Sequence, residues 1–131
     1  SAFLSYMNTE KRKNQRFMDM GKVEAFDLCP FPGVFVDVSK KGCRVRFPTS
    51  FLVNTDSDFE MKISPVRFNC YDSFLIMVRP IWQKTTEDFT EIGFNILHSP
   101  DFKKFDNYVE KLIEEKQEIE LEQELLNGIE L

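Results

Sequence analysis

The sequence predicts an all-β domain that ends in a helix, and three observations support this. Short segments of alternating or β-branched apolar residues recur between residues 23 and 97, separated by Pro, Gly, Asn and Asp. After residue 99 the apolar spacing becomes three and four, which is typical of a helix. The 131 residues include 14 Phe, enough apolar volume for one core. About six short strands fit a closed barrel or a sandwich, and a small barrel best removes exposed sheet edges.

The strand segments differ in clarity along the chain. The clearest is Cys43–Phe47, which alternates apolar residues with Arg44 and Arg46 and therefore predicts a strand with one buried face. Two turn clusters, Cys29–Gly33 and Ser39–Gly42, bound the strand before it. Modest alternation predicts a strand at Val23–Leu28, and β-branched and aromatic residues predict one at Val34–Val38. Phe59–Ile63 and Val66–Tyr71 look like pieces of strand interrupted by Ser64-Pro65. Phe74–Trp82 and Phe89–Leu97 follow, separated by the polar connection Gln83–Asp88.

The C-terminal helix is predicted to begin near Ser99-Pro100-Asp101, a helix-start signal. An apolar stripe follows at residues Phe102, Phe105, Val109, Leu112, Ile119 and Leu126. Lys116 and Gln123 interrupt it, so only the first half is fully apolar. Two interpretations remain open. The helix packs on the barrel first and then runs into solvent, or it offers a heptad-like seam to a second copy or another protein.

Composition and cysteine usage exclude several classes of protein. Hydrophobic residues make up 42% and charged residues 30%, which is ordinary globular usage. No apolar run approaches the ~20 residues of a membrane helix, and the first ten residues lack the features of a secretory signal. The three cysteines have no metal-type spacing, which favours buried thiols in a reducing cytoplasm. We therefore expect a cytoplasmic protein without membrane insertion.

Charge is unevenly distributed along the chain. The segment 1–22 holds five basic and two acidic residues, whereas 110–131 holds eight Glu against two Lys. A cluster this small can hold a few phosphates but cannot coat a nucleic acid. An oligonucleotide-binding barrel would also need exposed aromatics among basic residues, whereas most Phe residues here have core spacing. Nucleic-acid binding is therefore disfavoured.

The residues needed for common catalytic sites are missing. The chain has a single histidine, His98, with no Cys or His neighbour at metal-ligand spacing. A triad of Ser39, His98 and Asp37 could be assembled from the sequence, but it lacks the nucleophile-elbow context. No phosphate-binding loop or dinucleotide fingerprint is present. We expect a protein that is not an enzyme and has no metal or cofactor.

Two short motifs remain, and their chemistry converges. Arg12 and Arg16 form an RxxxR, and Asp37, Ser39 and Gly42 form a DxSxxG in a strand–turn–strand context. Arginine forks match phosphate oxygens and the O6/N7 edge of guanine. The carboxylate accepts from guanine N1–H and N2–H, the serine adds a hydroxyl, and glycine permits a turn or a close approach. The alternative is structural: a solvated helical face for the arginines and a capped hairpin turn for the rest.

These motifs resemble the signature of the PilZ domain family, receptors for the bacterial second messenger cyclic diguanylate (c-di-GMP). Both stand at the expected order and separation, as Arg12–Arg16 and Asp37–Gly42. Met77–Trp82 and Thr90–Phe94 resemble the last two barrel strands of the family, so the resemblance spans roughly Glu10–Leu97. It implies a six-stranded antiparallel barrel with a C-terminal helix and a ligand on the outer surface of the barrel.

By position, the resemblance implies that Arg12 and Arg16 hold guanine edges and phosphates, while Asp37, Ser39 and the Gly42 turn lie against a guanine. Lys11 stands where many relatives have a further Arg, and it keeps the charge without the flat fork.

The expected function is therefore a non-enzymatic c-di-GMP receptor that signals to a protein partner when ligand orders the RxxxR segment. The alternative is a PilZ-like interaction domain that binds little or no nucleotide. We expect three regions: a flexible basic segment at 1–22, the barrel at 23–98 and the acidic helix at 99–131. The helix further predicts weak self-association or a basic partner surface.

Overall fold

The computed structural model describes residues 21–66 and 73–129. Six strands and one helix follow one another along the chain: β1 Lys22–Glu24, β2 Gly33–Val38, β3 Gly42–Phe47, β4 Phe59–Ser64, β5 Phe74–Thr85, β6 Thr90–Leu97 and α1 Phe102–Ile129. The strands close into a barrel in the order β1-β2-β3-β6-β5-β4, and every pair is antiparallel. The predicted fold class, a six-stranded antiparallel barrel with a C-terminal helix, is confirmed.

Alternating side chains fill the barrel. In β3, Cys43, Val45 and Phe47 are buried, whereas Arg44 and Arg46 lie between them on the outer face, as the sequence pattern predicts. Similar inward-facing residues from the other strands complete the core, among them Val23, Phe35, Val38, Met61, Ile63, Ile76, Val78, Ile92 and Phe94. The outer face near β3 is therefore left for polar side chains.

Two predicted strands differ from the structure. The alternation at Val23–Leu28 predicted a strand to Leu28, but β1 ends at Glu24. The backbone then turns, because the N–H groups of Leu28 and Cys29 both donate to the Ala25 carbonyl at 2.9 and 3.0 Å. The prediction for Val66–Tyr71 fails at Val66, which is exposed and outside any strand, and its remaining residues lie outside the described part of the chain.

Strand β5 is longer than its composition indicated, since it continues through the polar residues to Thr85. Gln83 provides the reason. Its side chain accepts from Val53 N–H and donates to the Phe51 carbonyl, both at 2.8 Å. The polar end of β5 is thus tied to the segment after β3, while its backbone still pairs with β6.

The first half of the helix packs against the barrel at the start of β5. Phe105, Tyr108, Val109, Leu112 and Ile113 are buried, and the rings of Phe105 and Tyr108 lie 6.2 and 5.9 Å from that of Phe74. The residues from 117 to 128 are all exposed. The first half of the helix therefore packs on the barrel as predicted, while the heptad-like seam of the second half stays a prediction.

The start of α1 is fixed to β5 by two side chains. Ser99 Oγ accepts from Met77 N–H at 2.7 Å, and Asp101 Oδ2 accepts from Leu75 N–H at 2.9 Å. The backbone of the helix start also closes on itself, since Phe102 N–H donates to the Ser99 carbonyl at 3.0 Å. These bonds fix the entry of the helix at the barrel end that carries the β2–β3 turn.

Candidate functional site

The β2–β3 turn contains two of the predicted site residues, and their polar groups bond to each other. Ser39 N–H donates to the Gly42 carbonyl at 2.8 Å, while Ser39 Oγ lies 3.2 Å from that carbonyl and 3.3 Å from Gly42 N–H. Ile96 N–H of β6 donates to the Lys41 carbonyl at 2.9 Å. The turn backbone is therefore held from both sides, with Ser39 and Gly42 buried.

A β-bulge in β2 places Asp37 on the outer face of the barrel. The register shifts between Phe35 and Asp37, so that both Phe35 and Val38 point into the core although they are three residues apart. Asp37 then lies opposite Arg44, and its Oδ2 is 2.7 Å from an Arg44 terminal nitrogen. Bulges commonly re-aim a side chain in this way. Asp37 is only 8% exposed, so its charge is largely shielded from water.

Arg44 is the centre of an ion-pair network across three strands. Its Nε lies 3.2 Å from Glu91 Oε1, and the other Glu91 oxygen accepts from Arg46 at 3.1 Å. The Arg46 guanidinium also lies over the Phe89 ring, 4.2 Å from its centroid. Two carboxylates and two guanidinium groups thus nearly neutralise one another. This pairing offsets the desolvation cost of burying the Asp37 and Glu91 carboxylates.

A cavity of about 300 Å³ opens beside this network. It is lined by Asp37, Cys43, Arg44, Ile81, Trp82, Gly93 and Phe94. A second bulge, between Pro80 and Trp82, adds Ile81 to β5 at this edge. Because Trp82 is 41% exposed and Ile81 49%, both present apolar surface to solvent here.

Gly93 allows the Trp82 indole to lie against the backbone of β6. A Cβ at this position would overlap the indole at Nε1 and Cε2 and would lie 2.8 Å from its Cδ1. Trp82 and Gly93 are also register partners across the β5–β6 pair. The cavity therefore combines an aromatic ring with a carboxylate and a guanidinium, a set that suits a planar, polar, partly anionic molecule.

On the neighbouring outer surface, Arg79 pairs with Asp58 through two contacts of 2.6 and 3.2 Å. The hydrogen bond to Asp58 raises the pKa of Arg79 above its ordinary value, with the charge of Asp58 acting in the same direction. Arginine is protonated throughout the physiological range in any case, so the pair with Asp58 does not alter the charge of Arg79.

The predicted site residues fall into two groups. Asp37 lines the cavity, and Ser39 and Gly42 form the adjacent turn. Lys11, Arg12 and Arg16 lie outside the described residues.

Sequence reasoning missed three residues that the structure brings to Asp37: Arg44, Glu91 and Trp82. Arg44 could have been found from its outward position in β3, immediately after the DxSxxG motif. Trp82 is the only tryptophan of the chain, but nothing in the sequence pairs it with Gly93.

Two classes of site find no support in the described residues. Over residues 21–66 and 73–129, no three His, Cys, Asp or Glu side chains are grouped to hold a metal ion. No helix within these ranges is both long and apolar enough to cross a membrane. Cys29 and Cys43 are buried thiols, while Cys70 lies outside the described part of the chain.

The architecture defines the class of fold: a closed six-stranded antiparallel barrel with one C-terminal helix is consistent with a PilZ-like fold. Among solved structures, the chain is similar to the crystal structure of the Borreliella burgdorferi PlzA protein in complex with c-di-GMP. The TM-score is 0.52 and the sequence identity 10%, over 88% of this chain. The match spans 57% of the PlzA chain. At this identity the similarity shows the fold alone.

The sequence comparisons give no further relative. No protein-family model matches the chain, and no curated protein sequence matches it.

Proposed function

We propose that this protein is a non-enzymatic receptor for c-di-GMP of the PilZ type. One observation carries the proposal: Asp37, Arg44 and Trp82 line a single cavity beside the turn that holds Ser39 and Gly42. The fold similarity to a protein solved with c-di-GMP supports the same conclusion.

The chemistry of the cavity suits guanine. An ionised carboxylate has several acceptor positions, so Asp37 can accept from guanine N1–H and N2–H while it remains paired with Arg44. The Arg44 guanidinium can donate to O6 and N7 or to a phosphate. The exposed indole of Trp82 offers a face for stacking. A volume of about 300 Å³ is at the lower end for ligand pockets, so it takes one base while the rest of the dinucleotide lies on the outer barrel.

The N-terminal motif completes the proposed site. Arg12 and Arg16 would supply forks for the remaining guanine edge and the phosphates, with Lys11 adding charge. In this proposal ligand orders residues 9–18 over the barrel and so changes the surface seen by a protein partner. The proposed setting is the bacterial cytoplasm, which rests on the family resemblance and the cysteine usage.

Calorimetric titration tests the proposal directly. We expect c-di-GMP to bind with heat that saturates, and GTP and cyclic AMP to bind far more weakly, since neither carries two guanines on one cyclic backbone. An affinity for GTP equal to that for c-di-GMP would contradict the assignment.

One observation favours a second candidate, a PilZ-like interaction domain with little or no nucleotide binding. Asp37, Arg44 and Glu91 already pair with one another by charge, although the buried Arg44 Nε has no hydrogen-bond partner among the described residues, and the Ser39 hydroxyl bonds within its own turn. In this alternative the cluster stabilises the barrel only. Substitution of Arg44 by Leu separates the two: a receptor loses c-di-GMP affinity, whereas a purely structural cluster has no affinity to lose.

A further inference from the structure

Lys40 joins the β2–β3 turn to the helix. Its Nζ pairs with the Glu110 carboxylate and lies 3.8 Å from Asp106 Oδ1. Asp106 and Glu110 are four residues apart, so they share one face of α1. The three side chains are between 31% and 38% exposed, which leaves them accessible to ions and ligands.

Hydrogen bonds on both sides of Lys40 hold its backbone in place, so the backbone does not move when the side chain changes its ion-pair partner. Ser39 N–H and the Lys41 carbonyl are both bonded to strands, and Ser39 is buried. The lysine stem, in contrast, has four rotatable carbons and a compact charge. Lys40 can therefore exchange one anion for another without a change in the turn.

We propose that Asp106 and Glu110 compete with an anionic ligand for Lys40 and thereby set the affinity of the site. Without ligand, Lys40 is held by the two carboxylates of α1. With ligand, its ammonium turns to a phosphate beside the Ser39–Gly42 turn, and its ion pairs with the two carboxylates are broken. This inference rests on the proposed function and adds the helix as a regulator of the same site.

The expected size of the effect follows from the exposure of the groups. Ion pairs at partly exposed positions are worth up to about 1 kcal/mol each, and tenfold in affinity corresponds to about 1.4 kcal/mol. Removal of both carboxylates should therefore tighten binding of c-di-GMP by roughly two- to thirtyfold. The gain should shrink as salt is added, because the Debye length falls from about 10 Å at 0.1 M to 3 Å at 1 M.

The test is a double-mutant cycle measured by calorimetry on the full chain with c-di-GMP. One variant carries Asp106→Asn and Glu110→Gln. Its matched control carries Glu114→Gln and Glu118→Gln, which make the same change in net charge at exposed positions further along the helix. Both pairs are then combined with Lys40→Met.

Two results are expected. The Asp106/Glu110 variant binds more tightly than wild type and than the control variant, and Lys40→Met removes this difference. Lys40→Met alone weakens binding, whereas the exposed neighbour Lys41→Met does so less. Thermal midpoints of all variants are measured in parallel, so that a change in affinity is read only on folded protein.

The outcomes distinguish the inference from the function on which it rests. Equal affinities of the Asp106/Glu110 variant and its control would overturn the inference, as would a gain that persists in the Lys40→Met background. If the wild-type protein itself releases no heat with c-di-GMP, the proposed function fails, and the inference fails with it.

Discussion

At Gly93 the backbone of β6 lies directly against the Trp82 indole, so this position tolerates no side chain without a shift of the ring. We predict that Gly93→Ala displaces the indole, because the added Cβ overlaps Nε1 and Cε2. Overpacking of this kind costs about 1–3 kcal/mol. Urea denaturation should show this loss, and the emission of the single tryptophan should change in the folded protein.

The same substitution at Gly128 provides the control. A Cβ there meets nothing within 4 Å, so Gly128→Ala should leave both the stability of the barrel and the tryptophan emission unchanged. Equal behaviour of the two variants would show that Trp82 does not lie on Gly93.

Asp37 combines a structural and a proposed binding role, and Asp37→Asn separates them. The asparagine side chain keeps the shape of aspartate, but its NH2 group would face the N1–H and N2–H donors of guanine. The affinity for c-di-GMP should therefore fall roughly five- to 150-fold, the range for losing a bidentate contact. Loss of the ion pair to Arg44 should also lower the free energy of unfolding by about 1.5–3 kcal/mol, the value of a hydrogen bond to a charged group, and Arg44 retains its contact with Glu91.

The control for Asp37→Asn is Asp58→Asn, which also removes a carboxylate from an arginine, here Arg79 on the outer barrel. It should leave c-di-GMP affinity within twofold, roughly the noise of unrelated surface changes. If Asp37→Asn unfolds the protein at room temperature, Asp37 is a structural residue first.

The sequence predicted the site only in part, and the reason is visible at single residues. Asp37, Ser39 and Gly42 were recognisable because they lie within six positions of one another. Arg44, Glu91 and Trp82 come from three different strands and meet only through the β2–β3, β3–β6 and β5–β6 registers. Two bulges, near Val36 and Ile81, determine those registers locally. The first has no signature in the sequence, whereas Pro80 marks the second, because proline within a strand is confined to edges and bulges.

Helix α1 has buried side chains in its first half and exposed side chains in its second half. The matched pair Leu112→Ala and Leu126→Ala measures the change, since Leu112 is 2% exposed and Leu126 68%. We predict that Leu112→Ala costs about 2–5 kcal/mol of unfolding free energy, as in other buried leucines. Leu126→Ala should stay within about 0.5 kcal/mol. Urea denaturation of both variants checks the prediction, and comparable losses would mean that the second half of α1 is also packed.

Removal of Glu118–Leu131 tests the exposed half of α1 as a unit. Since the described residues in this stretch are exposed, the truncated chain should keep its fold and its c-di-GMP affinity. Any dimer of the full chain, seen by sedimentation, should disappear. A dimer that survives would place the interface elsewhere.

Most strands and the helix could be predicted because their apolar residues recur at a single spacing, every second residue in a strand and every third or fourth residue in the helix. The alternation in Cys43–Phe47 and the three–four spacing around Phe105–Leu112 each matched the observed element. The exceptions are the ends: β1 stops at Glu24 because Ala25 accepts two turn bonds. Strand β5 continues to Thr85 because the Gln83 side chain bonds to Phe51 and Val53. The end of β1 depends on local hydrogen bonds, and the end of β5 depends on partners distant in sequence. Neither end can be predicted from the periodicity of apolar residues.

Over the whole molecule, the proposed site combines the N-terminal arginines with a barrel network in which two carboxylates pair with two guanidinium groups. Arg12→Ala and Arg16→Ala should each weaken c-di-GMP binding by about 1–3 kcal/mol, the value of a bidentate arginine–guanine pair. Lysine at either position should restore only part of it, because a point charge does not reproduce the fork. Calorimetry measures this, and full rescue by lysine would reduce the role of both residues to charge.

The most direct test of the central claim is a fluorescence titration of the full chain with c-di-GMP. Trp82 is the only tryptophan and lines the proposed cavity, so its emission reports on this site alone. We expect a saturable change in Trp82 emission with c-di-GMP, a much weaker response to GTP, and loss of the response in Asp37→Asn. Emission that stays constant while calorimetry records binding would contradict it, because the ligand would then bind away from the cavity.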